Sequence, residues 1–192
     1  MTRKTTLAMP ATTRKGLKSG LISELAVFFT VRPGHEQQLK EELTKRFPTA
    51  QNPVSRVPPE ALKRVGNHHV KHYLFDNDQR LVMILSFDGT WDKYIDDALT
   101  VLGPDNFLSW LQHCNEIPEG AAHMSVAELK EVLSSAQVQA FTYIEVIPDM
   151  TIQEIAKAQE LMKAFQQVLD SPGAAQALKN PALKTLLDKA AA

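Results

Sequence analysis

Cysteine is almost absent from this chain: Cys114 is the only one among 192 residues. A single thiol excludes an internal disulfide and a cysteine-rich zinc site. No stretch approaches the roughly 18 apolar residues of a membrane-spanning helix. Residues 1–20 also contain no apolar block long enough for a secretory signal. These absences predict a cytoplasmic protein that does not associate with a membrane.

Acidic residues are missing from the first 23 positions, which hold five of the 21 basic residues. The remaining 16 bases share the rest of the chain with all 22 acids. This acidic body argues against a nucleic-acid groove, which needs a basic face. We interpret residues 1–20 as a flexible basic tail, although the composition also fits an organelle transit peptide.

Motifs of well-known catalytic classes are also missing. The chain has no glycine-rich phosphate-binding loop, no G-x-S-x-G nucleophile motif and no H-E-x-x-H metal motif. A function therefore has to be argued from how individual side chains are arranged.

The patterning of apolar residues predicts an alternation of strands and helices. Residues 24–32 form a near-continuous apolar run, which is typical of a buried strand. Residues 48–66 contain four prolines and predict a loop. The other predicted elements are a helix at 35–47, a strand pair within 67–89, helices at 90–102, 105–114 and 125–135, a strand at 137–147 and a helix from 151.

This order predicts an α+β fold of the ferredoxin-like βαββαβ type, an antiparallel sheet with helices on one face. The other face is apolar as well, so we expect a second copy to cover it and form a dimeric α/β barrel. Residues 21–170 would form this domain. An Ala- and Lys-rich extension with extra helices would follow at 171–192.

The stretch at 67–89 predicts a β-hairpin around an Asn77-Asp78 turn. With this turn, residues whose numbers sum to 155 face each other across the strands, and alternate residues share a face. The predicted helix-side face contains His68, Val70, His72, Leu74, Met83 and Leu85. The predicted cavity face contains His69, Lys71, Tyr73, Phe75, Val82 and Ile84.

The cavity face supplies candidate catalytic residues, namely His69, Lys71 and Tyr73, with Glu145 on the last predicted strand. Lysine and tyrosine can polarise a carbonyl group, and histidine can move a proton near neutral pH. The alternative interpretation is that Lys71 or Glu145 lies at a sheet edge and reaches water.

The histidines do not predict a metal site. His68 and His72 share a strand face but would lie about 13 Å apart, at roughly 3.3 Å per residue. His113 lies at the end of the helix predicted at 105–114, where it is either a C-terminal cap or the axial ligand of a haem. The neighbouring Cys114 is expected to be a small buried residue, because adjacent side chains on a helix diverge.

Four segments resemble a widespread bacterial family of the ferredoxin-like dimeric α/β-barrel superfamily. They are FFTVRPGHEQQL at 28–39, HHVKHYLFD at 68–76, LSFDGTWDKYIDD at 85–97 and WLQHCNEIP at 110–118. Relatives in that superfamily include Dyp-type haem peroxidases and small cofactor-free monooxygenases. The chain departs from the family pattern at Lys71, where arginine is usual, and thereby loses a bidentate carboxylate contact.

The resemblance and the candidate residues together predict a homodimeric protein that binds a small organic substrate between its sheets. The expected activity is that of an oxidoreductase. One alternative is a peroxidase-like protein that binds haem through His113. The other is a non-catalytic ligand-binding or assembly module. Neither nucleic acid nor a membrane is expected as a partner.

Overall fold

A computed structural model describes residues 18–46, 56–147 and 149–190 of the chain. The predicted basic tail at 1–20 thus lies almost wholly outside the described residues. The strands are β1 (Lys18–Ser19), β2 (Ile22–Thr30), β3 (Asn67–Phe75), β4 (Arg80–Asp88) and β5 (Gln137–Val138). The helices are α1 (Glu36–Arg46), α2 (Pro59–Arg64), α3 (Trp91–Leu102), α4 (Pro104–Leu111), α5 (Val126–Ala136), α6 (Ile152–Leu169), α7 (Ala174–Ala177) and α8 (Lys184–Ala190).

The strands form an antiparallel, open sheet in the order β1-β2-β4-β3, and β5 pairs with β2 beside β1. Together with the helices, this confirms the predicted α+β class. β4 is central, since all nine of its residues pair with β2 and it also pairs along most of its length with β3. Alternate residues of these strands point to opposite faces of the sheet.

The hydrophobic core lies on one face of the sheet, against α3, α4 and α5. Trp110 of α4 is completely buried in it and contacts the rings of Phe29 and His72, with centroid distances of 5.7 and 5.4 Å. Buried aromatic pairs in this edge-to-face arrangement add to the stability that burial itself provides. The other residues that pack on this face include Leu25, Val27, Met83, Leu85, Phe87, Ile95, Leu99, Leu129 and Leu133.

The hairpin register was predicted correctly over most of its length. His69 pairs with Ser86, Lys71 with Ile84 and Tyr73 with Val82. The turn spans residues 76–79, and Asp76, Asn77 and Asp78 all have positive φ angles of 55 to 65°. Asn and Asp tolerate this left-handed conformation better than most residues, which explains why the turn can form here.

The predicted pairing of His68 with Phe87 is wrong, because the register shifts between Asn67 and His69 and Phe87 pairs with Asn67. A bulge of this kind leaves its extra residue outside the ladder. His68 instead contacts the carboxylate of Asp88, with its Nε2 atom 2.7 Å from Oδ1.

The last predicted strand, at 137–147, is much shorter than expected. Only Gln137 and Val138 pair with β2, opposite Val27 and Ala26. Further along the same edge of β2, Ser23 and Ile22 are already paired with β1. A strand continuing from Val138 in this register would meet β1 at residue 141, so β1 limits how far β5 can extend.

Each predicted helix is present within a few residues of its predicted bounds. α3 buries Trp91, Tyr94, Ile95, Ala98 and Leu99, whose three- and four-residue spacing places them on one helical face. The loop predicted at 48–66 does contain one short helix, α2, which begins at Pro59. Proline is favoured at the first position of a helix, so its presence did not exclude one.

The chain divides into two compact units, up to Ile152 and from Gln153 onward. The second unit contains most of α6, then α7, a 3-10 turn at Pro181–Leu183 and α8. No helix within the described ranges is long and apolar enough to cross a membrane.

The capping box at the start of α5 provides a test of the fold. The Ser125 hydroxyl accepts from the amide of Glu128, and the Glu128 carboxylate accepts from the amide of Ser125. We expect Ser125→Ala to lower the free energy of unfolding by about 1 kcal/mol, as measured by urea denaturation. Ser135→Ala in the same helix is the control, because its hydroxyl bonds back to the Glu131 carbonyl and its loss should change stability little. Equal effects of the two substitutions would contradict the role of the cap.

Candidate functional site on the open face of the sheet

A row of three polar side chains crosses the open face of the sheet, the face opposite the helices. Glu24 of β2 pairs with Ser86 of β4, and Ser86 pairs with His69 of β3. Adjacent strands lie about 4.8 Å apart, so the three side chains are immediate neighbours. The next row along the strands contains Ala26, Ile84 and Lys71.

The imidazole of His69 contacts the buried hydroxyl of Ser86, with 3.1 Å between Nε2 and Oγ. Burial, and then the positive charge of Lys71, lower the pKa of His69, while the nearby Glu145 raises it. The net lowering favours the neutral ring at pH 7. A neutral imidazole has a free lone pair and can accept a proton.

Tyr143 and Glu145 lie against this row. The Tyr143 hydroxyl donates a hydrogen bond of 2.8 Å to the Glu145 carboxylate. Burial and this bond raise the pKa of Tyr143 to about 12, with smaller effects from Ser86 and Glu24. Tyr143 is therefore a neutral hydrogen-bond donor at physiological pH, and it brings the segment after β5 close to Glu24 of β2 and Ser86 of β4.

Glu24 is the most unusual member of the group. Its side chain is 7% exposed, and its Oε2 atom has no hydrogen-bond partner among the described residues. Burial raises the pKa of this carboxyl group. A buried carboxyl without a cation or a full set of donors favours its protonated form, which can donate a hydrogen bond.

The structure brings together only some of the predicted catalytic residues. His69 and Glu145 both belong to the group, and Lys71 lies one row away, where its charge acts on His69. Lys71 is exposed, and Glu145 bonds with Tyr143 instead of with Lys71. Tyr73 lies about 13 Å along β3 from His69, is half exposed and does not contact the row.

Sequence reasoning did not select Glu24, Ser86 or Tyr143. The only available signal for Glu24 was a carboxylate at the start of an apolar run that predicted a buried strand. Its placement beside Ser86 depends on the register between β2 and β4, which hairpin geometry cannot provide. Tyr143 lies two residues before Glu145 on the strand predicted at 137–147, but this segment leaves the sheet after Val138.

The other histidines of β3 have structural contacts. The ring of His72 packs against Trp110, and burial of the imidazole lowers its pKa to about 3, so it remains neutral. The Asp88 carboxylate contacts Nε2 of His68 and also accepts from the amide of Ile152 at 3.0 Å. Within the described residues, no three His, Cys, Asp or Glu side chains are grouped to hold a metal ion.

His113 was considered as the axial ligand of a haem, and its surroundings do not fit that group. Its Nδ1 atom lies 3.0 Å from Nδ1 of His35, and the two rings pack edge to face. The cavity beside the pair has a volume of about 260 Å³, below the range of about 300–1,000 Å³ typical of small-molecule sites. A haem requires a larger apolar slot. Cys114 is buried, as predicted, and burial raises its pKa to about 12.

No family model, curated protein or solved structure matches this chain.

The raised pKa of Glu24 predicts how its replacement changes stability with pH. The folded state holds its proton at pH values where the unfolded state, with a pKa near 4.5, has already lost it. Below pH 4.5 this difference in pKa does not disfavour the folded state. The free energy of unfolding then falls as the pH rises from 4.5 through the pKa that Glu24 has in the folded state. We expect Glu24→Gln to raise the melting temperature at pH 7 and to have little effect at pH 4. The measurement is a series of thermal melts, with the exposed Glu41→Gln as control. A lower melting temperature of Glu24→Gln at pH 7 would show that the carboxylate has a stabilising partner.

Proposed function

We propose that this protein binds a small organic molecule on the open face of its sheet and transfers a proton to or from it. The observation that supports this is the row of Glu24, Ser86 and His69, with Tyr143 and Glu145 beside it. Groups whose surroundings push their pKa values apart are typical of acid–base sites. A substrate with a carbonyl oxygen and an acidic C–H or O–H bond suits this set.

Each group has a distinct part in the proposal. The neutral imidazole of His69 accepts the proton from the substrate, and Glu145 stabilises the resulting imidazolium. The Tyr143 hydroxyl, once it turns from Glu145 to the ligand, donates a hydrogen bond to the oxygen on which negative charge develops. Glu24 adds a second donor in its protonated form, which burial favours. Lys71, one row away, attracts a substrate that carries a carboxylate.

The oxidoreductase class is a narrower form of this proposal. Removing a proton next to a carbonyl produces an electron-rich substrate, which can then react with an oxidant such as O2. The acid–base groups support the first step, whereas the redox step is supported only by the resemblance to small monooxygenases. We therefore propose proton transfer as the main activity and oxidation as the less supported extension of it.

We also propose that the domain is ferredoxin-like and that a second copy covers its open face. The strand order, with β5 and β1 on one side of β2 and β3 on the far side of β4, supports this topology. Apolar side chains beside the open face support the second copy. Phe141, Ile144 and Val146 are all more than 80% exposed, and Tyr73 and Phe75 of β3 are 50% and 38% exposed. Exposed apolar surface of this extent is typical of an interaction site.

Dimerisation can be tested by charging this surface. We expect the wild-type chain to elute as a dimer in size-exclusion chromatography with light scattering, because burying these side chains removes apolar area from water. Phe141→Asp and Ile144→Asp should shift it to a monomer at micromolar concentration that remains folded by circular dichroism, with a lower melting temperature because the stabilising contacts with the second copy are lost. Ala127→Asp places the same charge on an exposed site of α5 and should leave the dimer intact. If the wild-type chain elutes as a monomer under these conditions, the proposal that a second copy covers the open face is wrong.

Proton transfer can be tested once a ligand is found. Phenols, β-keto acids and related carbonyl compounds would be screened by thermal shift, and hydrogen–deuterium exchange of the bound compound would be followed by NMR. We expect the protein to accelerate exchange of the acidic hydrogen. We also expect His69→Ala to slow this exchange by about 100-fold or more, the usual contribution of a general base. Tyr143→Phe should weaken binding about fivefold through the loss of one hydrogen bond.

His123→Ala is the matched control, because His123 is exposed and lies in the loop before α5. It should leave both binding and exchange unchanged. If compounds bind but their hydrogens exchange no faster than in buffer, the site belongs to a non-catalytic ligand-binding module. If His69→Ala changes nothing, the proposed base is wrong.

A further inference from the structure

A second cavity, distinct from the polar row, opens between the edge of β2 and helix α5. Its volume is about 770 Å³, within the range of about 300–1,000 Å³ in which small-molecule sites fall. Its walls come from the loop after α4, from α5 and from the strand segments on either side. The apolar side chains lining it are Phe28, Pro118, Met124, Val132, Ala136 and Val138.

The charged residues of this cavity all have the same sign. Three glutamates line it, Glu116, Glu128 and Glu131, and none of its described lining residues is Lys, Arg or His. The basic residue closest in sequence, Lys130, bonds instead with Asp96 at 2.7 Å and Asp92 at 3.3 Å. The cavity therefore combines apolar walls with three carboxylates, and no cation is among its described lining residues.

Two of the glutamates are fixed in place by other contacts. The amide of Thr30 donates to both carboxylate oxygens of Glu116, at 2.9 and 3.1 Å. Glu128 belongs to the capping box, and its hydrogen bonds with Ser125 lower its pKa and keep it ionised. A carboxylate has about four acceptor sites, so each can accept further hydrogen bonds. Glu131 follows Glu128 by three residues on α5, so both lie on one side of that helix.

We propose that this cavity binds a small organic cation with an apolar body, such as an aryl-alkyl ammonium compound. The apolar walls would hold the hydrocarbon part of the ligand, since its transfer from water is favourable. The ammonium group would lie at the rim among the three carboxylates. This site uses none of the residues of the proton-transfer row, and the proposal stands independently of the proposed function.

Three matched probes separate the contribution of charge from that of apolar contact. Phenethylammonium, phenethyl alcohol and phenylacetate share one aromatic ring, and their binding to the full chain can be followed by NMR. We expect the cation to bind about tenfold more tightly than the alcohol, if each of three exposed ion pairs contributes about twofold. Phenylacetate should bind most weakly. Added salt should weaken binding of the cation and leave binding of the alcohol unchanged. The perturbed resonances should include Phe28, Val132 and Val138.

Two variants test the location of the site. Glu131→Gln removes the charge of a side chain that makes no hydrogen bond within the described part of the chain. This substitution should weaken binding of the cation about twofold. Ala136→Trp should fill the cavity and abolish binding of the cation and the alcohol alike, with thermal melts to check that the variant is folded. Glu119→Gln, which removes an exposed glutamate outside this cavity, should change neither affinity.

Several results would overturn the proposal. Equal affinity for the cation and the alcohol would show that the glutamates have no part in recognition. An unchanged affinity in Glu131→Gln and Ala136→Trp would place the ligand elsewhere, and the absence of binding at millimolar concentration would remove the site. Movement of the Arg14 and Lys15 resonances on addition of the cation would identify the chain's own basic segment as the occupant instead of a small molecule.

Discussion

The registers of β4 with its two neighbours determine both faces of this protein. β4 pairs with β2 along its full length and with β3 along most of it. Because side chains alternate across a sheet, these registers send one set of residues into the core against α3, α4 and α5. The same registers align Glu24, Ser86 and His69 on the open face. A slip of one residue in either pairing would move core residues of the slipped strand to the open face and its open-face residues to the core. The core and the polar row therefore depend on the same registers.

The burial of Trp110 and its neighbours explains why the open face is free to carry polar groups. The packing that stabilises the first unit is concentrated on the helix side, where Trp110, Phe29 and His72 form one continuous contact. The open face contributes less to this core, and a buried carboxyl such as Glu24 is unfavourable for stability. Functional sites commonly retain groups that a purely structural sequence would replace. Glu24 fits this description, since Gln, Thr or Val would suit its position better.

The parts of the fold that depend on local geometry could be predicted from the sequence. The hairpin register followed from the Asn77-Asp78 turn, and the buried side of α3 followed from its helical spacing. The parts of the fold that were not predicted depend on contacts between segments far apart in the sequence. β1 shares the edge of β2 with β5 and limits its length, and two-residue strands such as β1 have no usable sequence signal. The site was found only in part for the same reason. His69 and Glu145 lay on elements that could be predicted, whereas Glu24 joined them through a pairing between strands more than 50 residues apart in sequence.

The departure of residues 139–147 from the sheet connects the fold to the site. Had this segment continued along β2, Tyr143 would have lain at the sheet edge, and Phe141, Ile144 and Val146 would have alternated between the two faces. The segment instead brings Tyr143 toward Ser86 and Glu24 while the apolar side chains remain exposed. The same nine residues thus supply the hydroxyl beside the polar row and the surface proposed to bind a second copy. If a second copy does bind there, its contacts with this segment would also restrain Tyr143, and the proposed assembly would be coupled to the proposed site.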